Sequence, residues 1–178
     1  MNGGWGLRVV SVGLLVLVVH LGIAPDLRFA GVAAELPIGL ALAAGLTGGV
    51  ERGAIFGFVF GFVVDLFLFT PIGLSALIFG VGGWIAGHVF MDRLEESPLL
   101  SALAIGAGTA IGLFAFVVLG LALGESSLRE APIGRIIVLS SFMNAIAAFA
   151  LMWLAHWMWA VDPLGGRGRL GAGRNFGL

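Results

Sequence analysis

The chain has 178 residues, of which 60% are hydrophobic and only 11% charged, with a mean hydropathy of +1.11 and a formal net charge of −1. A soluble domain of this length cannot hide that much apolar surface, so the expected solvent is a bilayer. Cysteine is absent and all nine cations are arginine, which excludes disulfides and thiolate metal sites, and the near-neutral balance leaves no basic face for nucleic acid.

A hydrocarbon core about 30 Å thick takes about 20 apolar residues as helix, and on that ruler the chain divides into predicted spans over residues 7–24, 29–49, 53–69, 71–90, 98–123 and 133–161. Arg8 and the small residues after the first run resemble a signal peptide. That run is long for one and further apolar stretches follow directly, so it is read as an uncleaved helix. The second span carries Glu35 and Pro37. A proline there either starts a shortened helix or kinks a full one; a kink is expected, because 37–49 alone is too short to cross. Spans three and four, joined by little more than Thr70-Pro71, form a tight antiparallel hairpin. Thr70-Pro71 and Ser97-Pro98 each read as an N-cap with proline at the first helical position. The longest connection lies around 124–135. Asp162-Pro163 stops the last span, and residues 164–178, rich in glycine and arginine, are expected to form a flexible tail. With both termini on one side, that side carries Arg8, Arg52, Arg93, Arg167, Arg169 and Arg174 against Arg28, Arg129 and Arg135, which places the termini in the cytoplasm.

Few residues carry chemistry. Asp65, near the end of the third span, is costly in hydrocarbon unless it finds a partner. It reads either as an anchor between helices or subunits, or as a cap on the free N–H groups of the next helix. Glu35 and His20 are expected at a similar depth, with Arg28 and Arg135 as candidate partners. Three scattered histidines and no HExxH spacing give no metal site. Asn144, one turn after Ser140 and Ser141, reads as hydrogen-bonding glue between helices. Gly53, Gly57 and Gly61 form a continuous small-residue groove on the third span, with shorter pairs at Gly45/Gly49, Gly83/Gly87 and Gly108/Gly112. Packing within the chain is the expected use, with a partner's helix as the alternative. Trp153, Trp157 and Trp159 with His156 read as an interfacial aromatic belt. No nucleophile, phosphate loop or carboxylate pair is arranged for catalysis, so neither an enzyme nor a cofactor is expected.

The stretch from Pro25-Asp26 through the glycine-spaced third span to DLFLFTPIGLSAL resembles MreD, the family of bacterial rod shape-determining membrane proteins. Asp65, Pro71, Gly73, Leu74 and Ala76 stand where that family's D-L-x-x-x-x-P-x-G-L-x-A-L pattern has them, and SSFMNAIAAF, with Asn144, resembles its last helix. The likeness covers about residues 7–160; the arginine-bearing tail departs from it.

The resemblance implies a fold of six membrane helices in a compact bundle, similar to the substrate-binding subunits of energy-coupling-factor transporters. It implies a scaffold in the bacterial inner membrane that binds the single-span protein MreC. Through MreC it would connect to MreB, RodA and the elongation transpeptidase in side-wall peptidoglycan synthesis. The structural or partner-binding residues would be Asp65, Pro71, Gly73, Gly53, Gly57, Gly61, Glu35 and Asn144. A vitamin-type transport subunit is the alternative, although the first helix lacks the AxxxA pattern with which such subunits meet their partner.

Overall fold

The computed structural model describes residues 4–26, 28–67, 71–90 and 97–160; Thr70, Asp162-Pro163 and the predicted tail 164–178 lie outside the described residues. Six α-helices follow in chain order: α1 (Gly4–Val18), α2 (Leu36–Gly48), α3 (Val50–Phe67), α4 (Leu74–Phe90), α5 (Pro98–Ala122) and α6 (Ile133–Trp159). α1 runs on through a π-helical turn, Val19–Ile23, and a short 3-10 turn, Ser126–Arg129, lies between α5 and α6. Among the described residues there is no β-strand; a single antiparallel bridge pairs Phe29 with Val32. Gly4–Ile23, α5 and α6 are each long and apolar enough to cross a membrane, while α2 and Leu74–Val89 of α4 are shorter apolar helices.

α2 is the axis of the bundle. It is apolar all round, and every residue from Pro37 to Leu46 is buried, as expected for a helix enclosed on all sides. α3, α4, α5 and α6 pack around it, and α1 lies outside, against α6 and α2. Lipid tails are as apolar as leucine, so burial alone does not hold such helices together; close packing and hydrogen bonds do.

The glycines supply the close packing. A Cβ placed on Gly61 would sit 2.5 Å from the Ser75 carbonyl oxygen, and one on Gly53 would sit 2.6 Å from that of Gly83. One on Gly57 would meet the Phe79 carbonyl. The groove of α3 is therefore filled by the backbone of α4 along its length, as expected of packing within the chain; the alternative, that it seats a partner's helix, is removed. Gly45 joins this contact against Gly83 and Gly53, and Gly87 lies against the Gly49–Val50 backbone. Gly108 and Gly112 of α5 work differently: they are sockets for the side chains of Leu42 and Ile38 on α2.

Two local expectations are corrected. Pro37 does not kink a long second helix. It occupies the first turn of a short one that begins at Leu36, where its missing N–H costs nothing. Pro71 is not the first residue of α4, which starts at Leu74 after the turn in which the Leu74 amide donates to the Pro71 carbonyl at 3.1 Å. The reading of Ser97-Pro98 is met: the Ser97 hydroxyl accepts from the Leu100 amide at 3.4 Å and Pro98 opens α5.

Candidate functional site

Because α2 begins only at Leu36, the preceding residues must cross part of the bundle as non-helical chain, and their carbonyls need donors. α6 supplies them in sequence. The Arg135 guanidinium donates to the Ala30 carbonyl, the Ser140 hydroxyl to Ala33 at 3.0 Å, and the Asn144 amide to Glu35 at 2.7 Å. From Arg135 to Asn144 is about 14 Å along a helix; opposite it, Ala30 and Gly31 form the tight turn closed by the Phe29–Val32 bridge, and the irregular residues 33–35 lead from there into α2. This non-helical segment lies beside α6, which donates to it at three levels.

Asn144 is fully buried, and its second amide proton goes to Thr109 Oγ1 of α5 at 3.0 Å. Its Oδ1 has no protein partner among the described residues. Gly39 makes room for it: a Cβ there would lie 3.1 Å from Asn144 Nδ2. His20 Nε2, in the π turn, lies 3.8 Å from Glu35 Oε2 and forms an ion pair with it when protonated. His20, Glu35, Asn144 and Thr109 thus form one polar layer across α1, the start of α2, α6 and α5.

Counting along α1 and α6 from one shared contact gives the height of this layer in the bundle. Arg8 lies over the Trp157 ring, its guanidinium 4.7 Å from the ring centroid, and donates to the Trp157 carbonyl at 3.4 Å. Arg52 lies over Trp159 at 5.7 Å, so the expected aromatic belt gathers arginines at one end of the bundle. His20 is twelve residues above Arg8, and Asn144 is thirteen residues from Trp157. At 1.5 Å per residue both lie about 18–20 Å from that end.

Asp65 belongs to a second, separate cluster. It is 2% exposed at the far end of α3. Its Oδ2 accepts from the Gly73 amide at 2.8 Å, the Ser75 amide at 3.1 Å and the Ala76 amide at 3.4 Å, and Oδ1 accepts from Ser75 at 3.2 Å. Of its two sequence readings, the carboxylate makes the cap: it satisfies the free N–H groups of α4 and meets the positive end of that helix. Gly73 has φ +94°, a left-handed conformation that glycine adopts without strain, and this turns the hairpin so that three amides face one carboxylate.

The sequence placed Glu35 inside a helix; it is the N-cap residue of α2 and its side chain makes no capping bond. Arg135 binds a carbonyl rather than an acid, and Arg28 is exposed. Thr109 and Ser140 were not assigned roles by sequence, although Thr109 is the one polar side chain in the middle of α5. Among the described residues no three His, Asp or Glu side chains are grouped to hold a metal ion. A cavity of about 360 Å³ lies between α4 and α5 over α2, lined by apolar groups such as Ile38, Leu42, Val81, Gly108 and Ile111.

Fold and site together define a helical membrane protein with three helices long and apolar enough to span a bilayer, and a polar layer within the bundle. Neither a family model, nor a curated protein, nor a solved structure matches this chain.

Proposed function

We propose that this chain is a non-enzymatic scaffold subunit of the bacterial cell-elongation (rod) complex, of the MreD kind. It sits in the cytoplasmic membrane with both termini inside and binds MreC. Through MreC it supports MreB, RodA and the elongation transpeptidase in side-wall peptidoglycan synthesis. The observation that carries this reading is the Asp65–Ala76 unit. The residues that resemble the MreD pattern, scattered as letters, act together as one buried carboxylate cap, with Gly73 making the turn and Gly61 the close approach beneath it. A pattern with a joint structural task is harder to reach by chance than one without. The polar groups also point to a scaffold: Asp65, Asn144, Ser140 and Arg135 bind the chain's own backbone. The test is co-purification of the tagged chain with the MreC encoded in the same genome, under stringent detergent washing. Retention of MreC is expected, and its absence at normal expression of both proteins overturns the reading.

One observation favours a transport subunit as the second reading. The N-terminus of α2 lies within the bundle beside Asn144 and Thr109, and half-helix ends of this kind form substrate sites in transporters. A small molecule retained through purification and seen by native mass spectrometry would put this reading first.

A further inference from the structure

The groove of α3 is filled by α4, but α4 and α5 do not close on each other in the same way. Leu42 of α2 stands between them: its branched end fills the socket at Gly108 of α5, and a Cβ on Gly82 of α4 would lie 3.5 Å from it. The cavity of about 360 Å³ opens over this spacer. Three stripes line it, from Ile38 to Leu46 on α2, from Leu77 to Ala86 on α4 and from Ala104 to Leu119 on α5. The α5 wall is low because most of its lining positions are alanine or glycine.

Chemistry and shape restrict what fills this space. Every lining side chain is apolar, so water finds no partner there, and a cavity of that kind stays dry and takes up apolar guests. A polar solute would lose its hydrogen bonds on entry. Left empty, the walls forfeit the contacts of close packing. All the lining residues lie within helices and none in a connection, and the outer ones, such as Leu77, Val81 and Ile111, are exposed. The mouth therefore opens sideways, toward lipid. From Leu77 to Ala86 is about 14 Å of helix. Spread over that length, the cavity has a mean section of roughly 26 Å², whereas a helix 10 Å across takes about 80 Å². One extended hydrocarbon chain fits where a partner's helix does not.

We propose that this groove holds one acyl chain of a membrane phospholipid as a resident ligand, lying lengthwise over Leu42 with its headgroup outside the cavity. The full chain, purified in detergent from its native membrane, is expected to retain a phospholipid through extended washing, seen by native mass spectrometry. Ala107→Phe with Ala115→Phe fills the groove from exposed and half-buried positions and is expected to lose that lipid. Ala54→Phe is the control: Ala54 lines a shallower groove of about 420 Å³ between α3 and α4, and this variant should keep the lipid. Absence of phospholipid from the wild-type chain overturns the proposal, as does equal retention by the filled variant. A second arm needs no variant. The wild-type chain in phosphatidylcholine vesicles carrying a diazirine on the acyl chain should be labelled on α4 and α5 along this groove more heavily than on the exposed faces of α1 and α6. Even labelling of all these faces overturns the proposal. Labelling that disappears from the groove alone when MreC is reconstituted alongside makes it a protein interface and overturns the proposal equally. All of these outcomes leave the scaffold reading to the MreC co-purification.

Discussion

Asp65 shows how one side chain can decide a hairpin. Its carboxylate satisfies amides that hydrocarbon would otherwise leave bare, and an unsatisfied buried donor costs about 1–3 kcal/mol. Asp65→Ala is therefore expected to lower thermal stability in detergent by about 2–3 kcal/mol and to reduce the amount of protein in the membrane. Asp65→Asn, which keeps one accepting oxygen, should lose about 1 kcal/mol. If Asp65→Asn abolished function at full stability and normal assembly, a proton-transfer role would replace the cap. Asn144 makes the same kind of contribution from the opposite direction, donating to Glu35 and Thr109. Asn144→Leu should cost roughly 1–2 kcal/mol, read by the same melt. Both residues were singled out from sequence, since an acid or amide in a span needs a partner wherever the fold puts it. Which partner was not legible: Asp65 reaches eight to eleven residues along the chain, but Asn144 reaches across 109.

At the level of elements, α3 and α4 illustrate what small residues achieve. Gly57 and Gly61 bring the two backbones together so closely that any side chain collides with main-chain atoms. Main-chain atoms cannot rotate aside, so Gly57→Leu is expected to prevent assembly of the hairpin, a loss beyond about 3 kcal/mol. The measurement is the yield of detergent-stable monomer. A variant that folds normally but fails only to hold a partner would contradict the internal packing of this groove. Helix 2 makes the opposite point. Its proline lies in the first turn, so Pro37→Ala removes no constraint the fold relies on and should change stability by less than about 1 kcal/mol. In a kinked helix the same substitution would straighten the chain. The glycine spacing was readable because a four-residue repeat fixes one helix face regardless of context. The short second helix was not, because hydropathy averaged over 29–49 is high whether that chain is coiled or extended.

The whole molecule is asymmetric. Arginines lie on tryptophans at one end, and the Asp65 cap and the turn at Ala30-Gly31 lie toward the other. With the proposed orientation, a cysteine at Ser127 should react with an impermeant maleimide in intact cells and one at Glu51 only after permeabilisation; the reverse pattern would invert the topology. Composition pointed to a bilayer, and the spacing of apolar runs and prolines made the helical class and the six helices legible, because a bilayer accepts only segments that satisfy their own backbone. Tertiary structure alone decided that the second helix begins only at Leu36 and that the chain before it is non-helical. A non-helical segment is tolerable inside a bundle only when a neighbour lines up donors beside its carbonyls, and Arg135, Ser140 and Asn144 come opposite Ala30, Ala33 and Glu35 only once α6 has packed. That matching of donors to acceptors more than a hundred residues apart is a property of the folded arrangement, and no local pattern encodes it.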